Sequence, residues 1–269
     1  MTPPAPLRLF WWKAVPNFGD ALSRVVVGHM SGRPVEHARA GQCDLFAIGS
    51  VLEIARRNHR RPRRDGTRPW VWGSGVLRNV QPDFVKHVDV ALVRGPVSAA
   101  LLRIRTTAFG DPALLVDEII PAMPREDRVG IVPHHSQADD PRLAALVASD
   151  PKLMLIDARR PAEELCRAIS ACAHVAASSL HGLVVADAYG VPSTWFDPET
   201  DELLKFQDYA ASVERSLPVP IPIADLKGAL RKLPDLGSLA YAHGIARSRD
   251  DLKTHFPAQL RASADMVSA

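Results

Sequence analysis

Short apolar runs that end in small or polar turns, most of them followed by helical periodicity, recur along the chain. Candidate strands of this kind cover residues 7–12, 45–48, 70–72, 88–93, 129–132, 153–156, 174–177 and 191–195. Strands that alternate with helices predict parallel, doubly wound sheets, so the expected fold class is α/β.

A polar, proline-punctuated break at residues 121–127 separates the first four candidate strands from the last four. We therefore expect two Rossmann-like domains, residues 1–122 and 127–217, followed by a C-terminal helical segment and tail at 218–269. Ligands of such sheets bind beyond the carboxyl ends of the strands, which places the expected site in the cleft between the domains.

One segment carries the chain's excess of positive charge. The 269 residues include 33 Lys and Arg against 30 Asp and Glu, a formal charge of +3. An arginine-rich segment, residues 56–68, has a charge of +6, so the rest of the chain is at −3. Its arginines are Arg56, Arg57, Arg60, Arg61, Arg63, Arg64 and Arg68. A mildly acidic protein with one basic segment is not typical of general nucleic-acid coating.

The remaining composition favours a cytoplasmic protein. No apolar run approaches the roughly 18–20 residues of a membrane span. Residues 1–6 lack the charged and apolar regions of a signal peptide. Cys43, Cys166 and Cys172 are too scattered for a disulfide framework or a structural zinc site, so we expect three buried thiols.

The sharpest local feature is the turn Ser178-Ser179-Leu180-His181-Gly182, which joins a predicted strand to a predicted helix. The unpaired N–H groups and partial positive charge of a helix start suit a phosphate or carboxylate. His181 at its rim can serve as acid or base near neutral pH. A serine cap beside a histidine bonded to backbone explains the same spacing, so both interpretations stay open at this point.

Three further turns follow strands of the first half. Asn17 and Asp20 come after the first strand, where either can also be a plain helix cap. Ser74 lies between two glycines in a tight turn that admits a ligand close to the backbone but is no dinucleotide fingerprint. Arg94 stands at a strand's end, where a guanidinium grips a carboxylate or phosphate, or else forms a surface ion pair.

Two pairs of aromatic residues complete the candidates. His134 and His135 follow the strand that opens the second half, and without a carboxylate at ligand spacing they argue against a metal site. Trp11 and Trp12 point to opposite faces of a strand. One ring is expected in the core, and the other packs there too or forms the floor of a sugar site.

Taken in order, these turns are more specific than any one of them. They are Asn17-Phe18-Gly19-Asp20, Gly73-Ser74-Gly75, Val93-Arg94-Gly95-Pro96-Val97-Ser98, Gly110-Asp111-Pro112-Ala113, Ile131-Val132-Pro133-His134, Ser179-Leu180-His181-Gly182-Leu183 and Lys205-Phe206-Gln207-Asp208-Tyr209. The series resembles the polysaccharide pyruvyl transferase family, and most closely its succinoglycan-type ketal transferase branch. The resemblance spans residues 9–209.

The resemblance implies a two-domain fold like that of the GT-B glycosyltransferases. It also implies transfer of pyruvate from phosphoenolpyruvate, without a cofactor, to a sugar of a cell-surface polysaccharide or its lipid-linked precursor. His181 would be the acid, with His134 as base or phosphate ligand. The donor-binding residues would be Arg94, Ser178, Ser179, Gly182 and Lys205. The acceptor-binding residues would be Asn17, Asp20 and Ser74.

One departure from the family pattern keeps alternatives open. Many members carry Arg-Leu-His-Gly where this chain has Ser179-Leu180-His181-Gly182. Arg94, Lys205 or the arginine-rich segment would then supply the missing cation, unless the donor differs or the chain is inactive.

One rival hypothesis is a GT-B glycosyltransferase that uses a nucleotide sugar. Another is a non-catalytic protein that binds nucleic acid or anionic membrane through the arginine-rich segment. We favour the enzyme, with that segment as a docking element at the inner face of the membrane and no nucleic-acid partner.

Overall fold

The computed structural model describes residues 4–217, 219–233 and 239–262. The first sheet contains β1 (Leu7–Phe10), β2 (Val35–His37), β3 (Leu45–Phe46), β4 (Trp70–Trp72) and β5 (Asp89–Leu92). All neighbouring strands are parallel and their order is β2-β1-β3-β4-β5.

The second sheet repeats this arrangement with four strands. They are β6 (Glu126–Val132), β7 (Leu153–Leu155), β8 (Cys172–Ala177) and β9 (Ser193–Trp195). The strands are again parallel, in the order β7-β6-β8-β9. The predicted α/β class with parallel sheets is confirmed.

Nine α-helices connect and follow the strands within the described residues. They are α1 (Phe18–Ser31), α2 (Leu52–His59), α3 (Pro96–Leu102), α4 (Pro141–Ala148), α5 (Ala162–Ala171), α6 (Leu180–Ala188), α7 (Leu204–Ser212), α8 (Ile223–Leu230) and α9 (Ala242–Thr254). Short 3-10 helices cover Pro82–His87, Pro112–Glu118, His135–Gln137 and Ala258–Leu260. In the described part of the chain, no helix has the length and apolar character needed to cross a membrane.

Local sequence explains where α1 begins and ends. The Asn17 side chain accepts a hydrogen bond from Gly19 N at 3.1 Å and caps the first turn. Gly32 ends the helix with φ +64°, a left-handed conformation that glycine adopts without steric cost. This cap fixes the turn after β1, which contributes residues to the site described below.

One of the buried apolar clusters extends across both sheets. Leu9 and Trp72 of the first sheet belong to the same buried cluster as Val132 and Val175 of the second. Residues 121–125 between the sheets have no regular secondary structure and are exposed, as the sequence predicts. The division into domains at 1–122, 127–217 and 218–269 stays a prediction.

The last described helix returns to the first sheet. Trp72 Nε1 of β4 donates a hydrogen bond to the Leu252 carbonyl of α9 at 3.0 Å. The Arg249 side chain of α9 pairs with Asp117 and Glu118 at 2.7 Å each. The predicted helices beyond residue 218 are thus found as α8 and α9. Residue 218 itself and the predicted tail at 263–269 lie outside the described residues.

The elements differ from the sequence predictions in several places. No strand is predicted at β2 and no helix at α4 or α7, and α6 begins at Leu180, within the segment predicted to be a turn. The earlier start of α6 puts His181 into the first helical turn. The three cysteines are free and buried, as expected from the sequence.

Candidate active site

Each sheet reverses its strand order at one place, and the loops at both places line one pocket. In the first sheet the reversal lies between β1 and β3, and in the second between β6 and β8. Loops at the carboxyl ends of such strand pairs are where parallel α/β sheets bind ligands. The cavity that they share has a volume of about 360 Å³.

The first half of the chain contributes to the pocket through the segments that follow β1, β3 and β4. These residues are Trp12, Asn17, Asp20, Gly49, Ser50, Val51, Glu53, Ile54, Arg57, Leu77 and Arg78. The second half contributes through the segments that follow β6 and β8 and through α7 with the loop that precedes it. These residues are His134, His135, Ser179, Leu180, His181, Glu202 and Lys205.

His181 lies in the first turn of α6 with its ring buried against α1. A Cβ on Gly19 would lie 1.9 Å from His181 Nδ1, so the imidazole occupies the space that glycine leaves open. The Phe18 ring meets the imidazole edge to face, with centroids 6.4 Å apart. His181 Nε2 lies 3.7 Å from Asp111 Oδ2. The predicted acid is therefore held between α1 and the Gly110-Asp111-Pro112 turn.

The two serines before His181 take different positions. Ser179 is the residue before α6, where its side chain makes no capping hydrogen bond, and it lines the pocket. Ser178 is fully buried and does not line it. Its hydroxyl donates to Gln137 Oε1 at 2.6 Å and accepts from His134 N at 2.8 Å, so it ties the loop after β8 to the loop after β6.

Gly182 also lies outside the pocket wall, where it lets α6 approach the sheet closely. A Cβ there would lie 2.8 Å from Ala177 Cβ and 3.0 Å from Val132 Cγ1. Any larger residue would push α6 away from β6 and β8. Gly182 thus supports the position of its neighbour His181 through packing.

Asp20 is a buried carboxylate in the pocket, one turn after the Asn17 cap. Burial raises its pKa to about 6, although His181 and Lys205 partly offset that effect. Its Oδ1 approaches the loop after β3, where a Cβ on Gly49 would lie 2.9 Å from it. Asp20 is thus a base whose proton affinity suits exchange near neutral pH.

His134 is neutral at neutral pH. Burial, with smaller contributions from Lys205 and His135, lowers its pKa to about 4. Its Nδ1 lies 2.8 Å from Ser136 Oγ, and its ring packs on that of His135 with centroids 4.1 Å apart. The predicted base therefore lines the pocket as a weakly basic imidazole.

Three cations reach the pocket, and two glutamates pair with them. Arg57 of α2 bonds Glu53 at 2.6 Å, and Arg78 lies 3.6 Å from Glu53 and 3.7 Å from Glu202. Lys205 Nζ lies 3.7 Å from Glu202. Burial lowers the pKa of Lys205. Because Arg57 belongs to the arginine-rich segment, that segment does supply a cation to the pocket.

Arg94 and Ser74, two predicted site residues, are fully buried and lie outside the pocket wall. The Arg94 guanidinium donates to Asp208 at 3.0 Å, to Ser50 Oγ at 2.8 Å and to the Val76 carbonyl at 3.0 Å. Ser74 Oγ donates to the Gly49 carbonyl at 2.8 Å. Both side chains therefore hold the loop after β3, which lines the pocket.

Sequence reasoning missed several residues of the wall. The Gly49-Ser50 turn after β3 is recognised only as the end of a strand, and Arg78 and Glu202 are not singled out. The position of Arg57 follows from the same helix face as Glu53, four residues earlier, once α2 is placed at the end of β3. For Trp12 the sequence leaves both a core position and a sugar site open. In the structure its side chain lines the pocket and is 45% exposed.

No group of three or more His, Cys, Asp or Glu side chains within residues 4–217, 219–233 and 239–262 is arranged to hold a metal ion. The polar groups of the wall are instead a helix start, three cations paired with two glutamates, a buried carboxylate, imidazoles, an asparagine and serines. Such groups bind anions and transfer protons.

These features define an α/β protein of two parallel sheets, with a pocket suited to an anionic ligand and acid–base chemistry. The chain belongs to the polysaccharide pyruvyl transferase family, whose sequence profile matches residues 7–200. The resemblance drawn from the ordered turns is thereby confirmed, and the family is one of transferases.

Two curated proteins and one solved structure are similar to the chain. It is 30% identical over 155 residues to an uncharacterised protein of Acanthamoeba polyphaga mimivirus, covering 52% of this chain and 53% of the relative. It is 28% identical over 193 residues to the succinoglycan biosynthesis protein ExoV of Rhizobium meliloti (strain 1021), covering 69% of this chain and 57% of that relative. The chain thus spans little more than half the length of these relatives.

The solved structure is that of a functionally uncharacterised protein from Klebsiella pneumoniae subsp. pneumoniae NTUH-K2044. It shares 12% identity, with a TM-score of 0.47, 76% of this chain covered and 87% of the other.

Proposed function

We propose that the protein transfers pyruvate from phosphoenolpyruvate to two neighbouring hydroxyls of a saccharide, which closes a pyruvate ketal and releases phosphate. The observation that carries this proposal is the pocket, which collects His181, Asp20 and three cationic side chains in a member of this family. The relative named for succinoglycan biosynthesis supports a polysaccharide, or its precursor, as the acceptor.

The donor would bind at the start of α6. Phosphoenolpyruvate carries nearly three negative charges, and the N–H groups of the first helical turn beside Ser179 suit its phosphate. Lys205, Arg57 and Arg78 supply positive charge around that helix end. Glu53 and Glu202 pair with these cations, so the donor's anionic groups would compete with them.

Arg94, Ser178, Gly182 and Ser74 act on the donor and acceptor indirectly in this proposal. Their polar atoms bond to protein, or their backbone packs against it. Arg94 and Ser74 shape the loop after β3, while Ser178 and Gly182 hold the start of α6. The missing arginine of the family's Arg-Leu-His-Gly motif is replaced by Arg57 and Arg78, which lie across the pocket from Ser179.

His181 acts as the general acid. Its N–H proton passes to the methylene carbon as the alkene's electron pair forms the new C–H bond, and the electrons of the N–H bond stay on the ring. One acceptor hydroxyl then attacks the resulting cationic carbon. Phosphate leaves, and the second hydroxyl closes the ketal. One hydroxyl proton restores His181, and the other departs with phosphate.

Asp20 is the base that we favour for the attacking hydroxyl, and it passes the proton that it takes to the departing phosphate, so that the second hydroxyl's proton restores His181. The raised pKa of Asp20, about 6, makes it a stronger base than His134, whose pKa is lowered to about 4. His134 is the second candidate, and as a neutral imidazole it also suits hydrogen bonding to the donor phosphate. Asn17 lies one turn before Asp20 and faces the same acceptor.

Trp12 gives the acceptor side an apolar face. Its exposed indole stands at the pocket wall near Asn17, and indole rings pack on the C–H faces of sugars while they keep a polar edge in water. We propose that one sugar ring of the acceptor lies on Trp12 with its hydroxyl pair toward Asp20.

The acceptor is lipid-linked in this proposal, and the enzyme works in the cytoplasm at the inner face of an anionic membrane. Arg60, Arg61 and Arg64 are exposed and have no hydrogen-bond or ion-pair partner among the described residues. They follow α2, whose first turns line the pocket. Cosedimentation with anionic vesicles should fall when all three become Gln, and also in high salt.

We also propose a GT-B-like arrangement of two domains with the pocket between them. Residues 1–122 would form the acceptor side and residues 127–217 the donor side, with 218–269 as the C-terminal helical segment and tail. The two parallel sheets and the placement of Trp12 and Asp20 opposite Ser179 and Lys205 support this assignment.

The deciding experiment incubates the purified protein with phosphoenolpyruvate and synthetic lipid-linked sugars. We expect phosphate release together with a mass gain of one pyruvate ketal on the acceptor. A folded His181→Ala variant should lose both, and full phosphate release by that variant would overturn the acid assignment. A glycosyl gain from a UDP- or GDP-sugar would support the glycosyltransferase alternative. Anion binding without any turnover would support a non-catalytic protein.

A further inference from the structure

Two buried polar atoms face each other behind the pocket with no hydrogen-bond partner among the described residues. They are Asp111 Oδ2 and His181 Nε2, which lie 3.7 Å apart. A buried polar atom without a partner costs about 1–3 kcal/mol, so a facing pair of them requires an explanation.

The turn around Asp111 fixes the carboxylate in this position. Asp111 Oδ1 accepts a hydrogen bond from Ala113 N at 3.0 Å and caps the 3-10 helix Pro112–Glu118, which leaves Oδ2 directed at His181. The turn packs closely on the end of β4, since a Cβ on Gly73 would lie 2.3 Å from Pro112 Cδ.

The imidazole is fixed from the other side. Gly19 packs against Nδ1, and Phe18 meets the ring edge to face. Because Nε2 is directed at Asp111 behind the pocket, Nδ1 is the nitrogen left to exchange a proton with a ligand. Nε2 is thus buried against the Asp111 carboxylate, while Nδ1 is the nitrogen that can exchange a proton.

Asp111 is the carboxylate that faces the ring at Nε2, and Asp20 of α1 lines the pocket that His181 also lines.

We infer that Asp111 is a positioning residue that sets the orientation and tautomer of the His181 ring, with Nε2–H directed at Asp111 Oδ2 and Nδ1 turned toward the pocket. A small rotation of the ring would shorten the 3.7 Å separation to a charge-assisted hydrogen bond, since such contacts tighten when the ligand binds. The catalytic consequence rests on the proposed function, in which Nδ1–H is the proton given to the donor's methylene carbon.

The first test does not depend on the reaction. In protein labelled with ¹⁵N-histidine, the ring nitrogens of His181 are followed by NMR from pH 5 to 9 in the wild type and in Asp111→Asn. Asparagine keeps the cap to Ala113 N but removes the charge. We expect Nε2 of His181 to carry a proton in the wild type, and the Nδ1–H tautomer to gain population in Asp111→Asn. Identical ¹⁵N spectra of the two proteins would overturn the inference.

Should Asp111→Asn not fold, the wild type alone decides. We expect a downfield Nε2–H proton on His181 below neutral pH, as for a ring bonded to a carboxylate. An unprotonated Nε2 throughout the titration would overturn the inference. Asp117→Asn, the same change in the same 3-10 helix, is the control and should leave the His181 signals unchanged.

The second test measures catalysis. If the wild type transfers pyruvate, Asp111→Asn should lower kcat about 100-fold or more with little change in the KM for phosphoenolpyruvate. In a His181→Gln background, Asp111→Asn should lower kcat little further. Additive losses of kcat would show a merely structural role. A wild type without turnover would fail the proposed function and leave the NMR result standing.

Discussion

Arg94 and Asp208 form a fully buried ion pair, with 3.0 Å between Arg94 Nε and Asp208 Oδ2, that joins the end of β5 to α7. Asp208 also accepts hydrogen bonds from the Ser98 hydroxyl at 2.6 Å and the Ser98 N–H at 2.8 Å. Lys205 lies one turn before Asp208 on the same helix. The pair therefore fixes both the loop that Arg94 bonds through Ser50 and the helix that brings Lys205 to the pocket.

Removal of Asp208 should be strongly destabilising. Asp208→Ala leaves a buried guanidinium uncompensated, and we expect the free energy of unfolding to fall by about 3–5 kcal/mol. Glu164→Ala, which breaks the exposed pair of Arg160 with Glu164, is the control and should cost less than about 1 kcal/mol. Chemical denaturation of both variants measures the difference. Similar small losses would mean that the buried pair does not hold α7 in place.

The Arg94–Asp208 pair marks the limit of what the sequence could predict. Arg94 at a strand's end is visible in the sequence, but its burial depends on a partner 114 positions away. Local patterns predict most strands and the segments that follow them, so the parallel sheets are anticipated, and so is the segment after β8 that carries His181. They carry no information on which polar side chains meet across the core, and a binding role was therefore predicted for a residue with buried contacts.

The missed elements have local causes. The strand β2 is only three residues long and follows Pro34 without an alternating pattern, so nothing marks it. The helix α4 does have a signal, since Asp140 before Pro141 is a typical cap and first-turn proline. Arg57 and Arg78 reach the pocket only because β1, β3 and β4 are neighbours in the sheet, which the sequence does not specify.

The close contact between Gly19 and His181 can be tested with a matched pair of glycines in α1. In Gly19→Ala the new methyl would lie 1.9 Å from His181 Nδ1, so the ring must move. We expect kcat to fall at least 100-fold and the free energy of unfolding to fall by about 1–3 kcal/mol.

Gly28→Ala is the control for that variant. Its methyl would meet Val35 Cγ2 at 3.7 Å, an ordinary contact, and alanine favours the helix by about 1 kcal/mol. Thermal unfolding and steady-state kinetics of both variants decide the matter. Full activity in Gly19→Ala would show that the position of the His181 ring is not needed for turnover.

Arg57 provides a test of donor binding within the arginine-rich segment. Arg57→Gln removes a cation from the pocket wall, and loss of one charge-assisted contact should raise the KM for phosphoenolpyruvate about tenfold or more. Arg61→Gln makes the same charge change on an exposed arginine outside the wall and should leave that KM nearly unchanged. Equal effects of the two variants on KM would mean that the electrostatic field of the whole segment, and not a contact of Arg57 itself, supports donor binding.

Asp20 should couple catalysis to pH-dependent stability. Its pKa is raised to about 6 from an ordinary 3.8, so the ionised form is disfavoured by folding. Below about pH 4 the carboxyl is protonated in both states, and folding then pays no penalty for its burial. As the pH rises through about 6, the ionised form is favoured in the unfolded state, so the free energy of unfolding falls. Asp20→Asn should therefore unfold with a free energy up to about 3 kcal/mol higher than the wild type at pH 8, and with no gain at pH 4.

The same variant should be nearly inactive, with kcat lower by about 100-fold to 10,000-fold, because the base for the acceptor hydroxyl is gone. Asp225→Asn changes an exposed aspartate in the first turn of α8 and should alter neither stability nor turnover. Denaturation at pH 4 and pH 8 and ketal formation at pH 8 are measured on all three proteins. An Asp20→Asn protein that is stabilised yet fully active would remove Asp20 from the mechanism and leave His134 as the base. If it were not stabilised at pH 8, the carboxylate would carry no burial penalty, and its role as a tuned base would be lost.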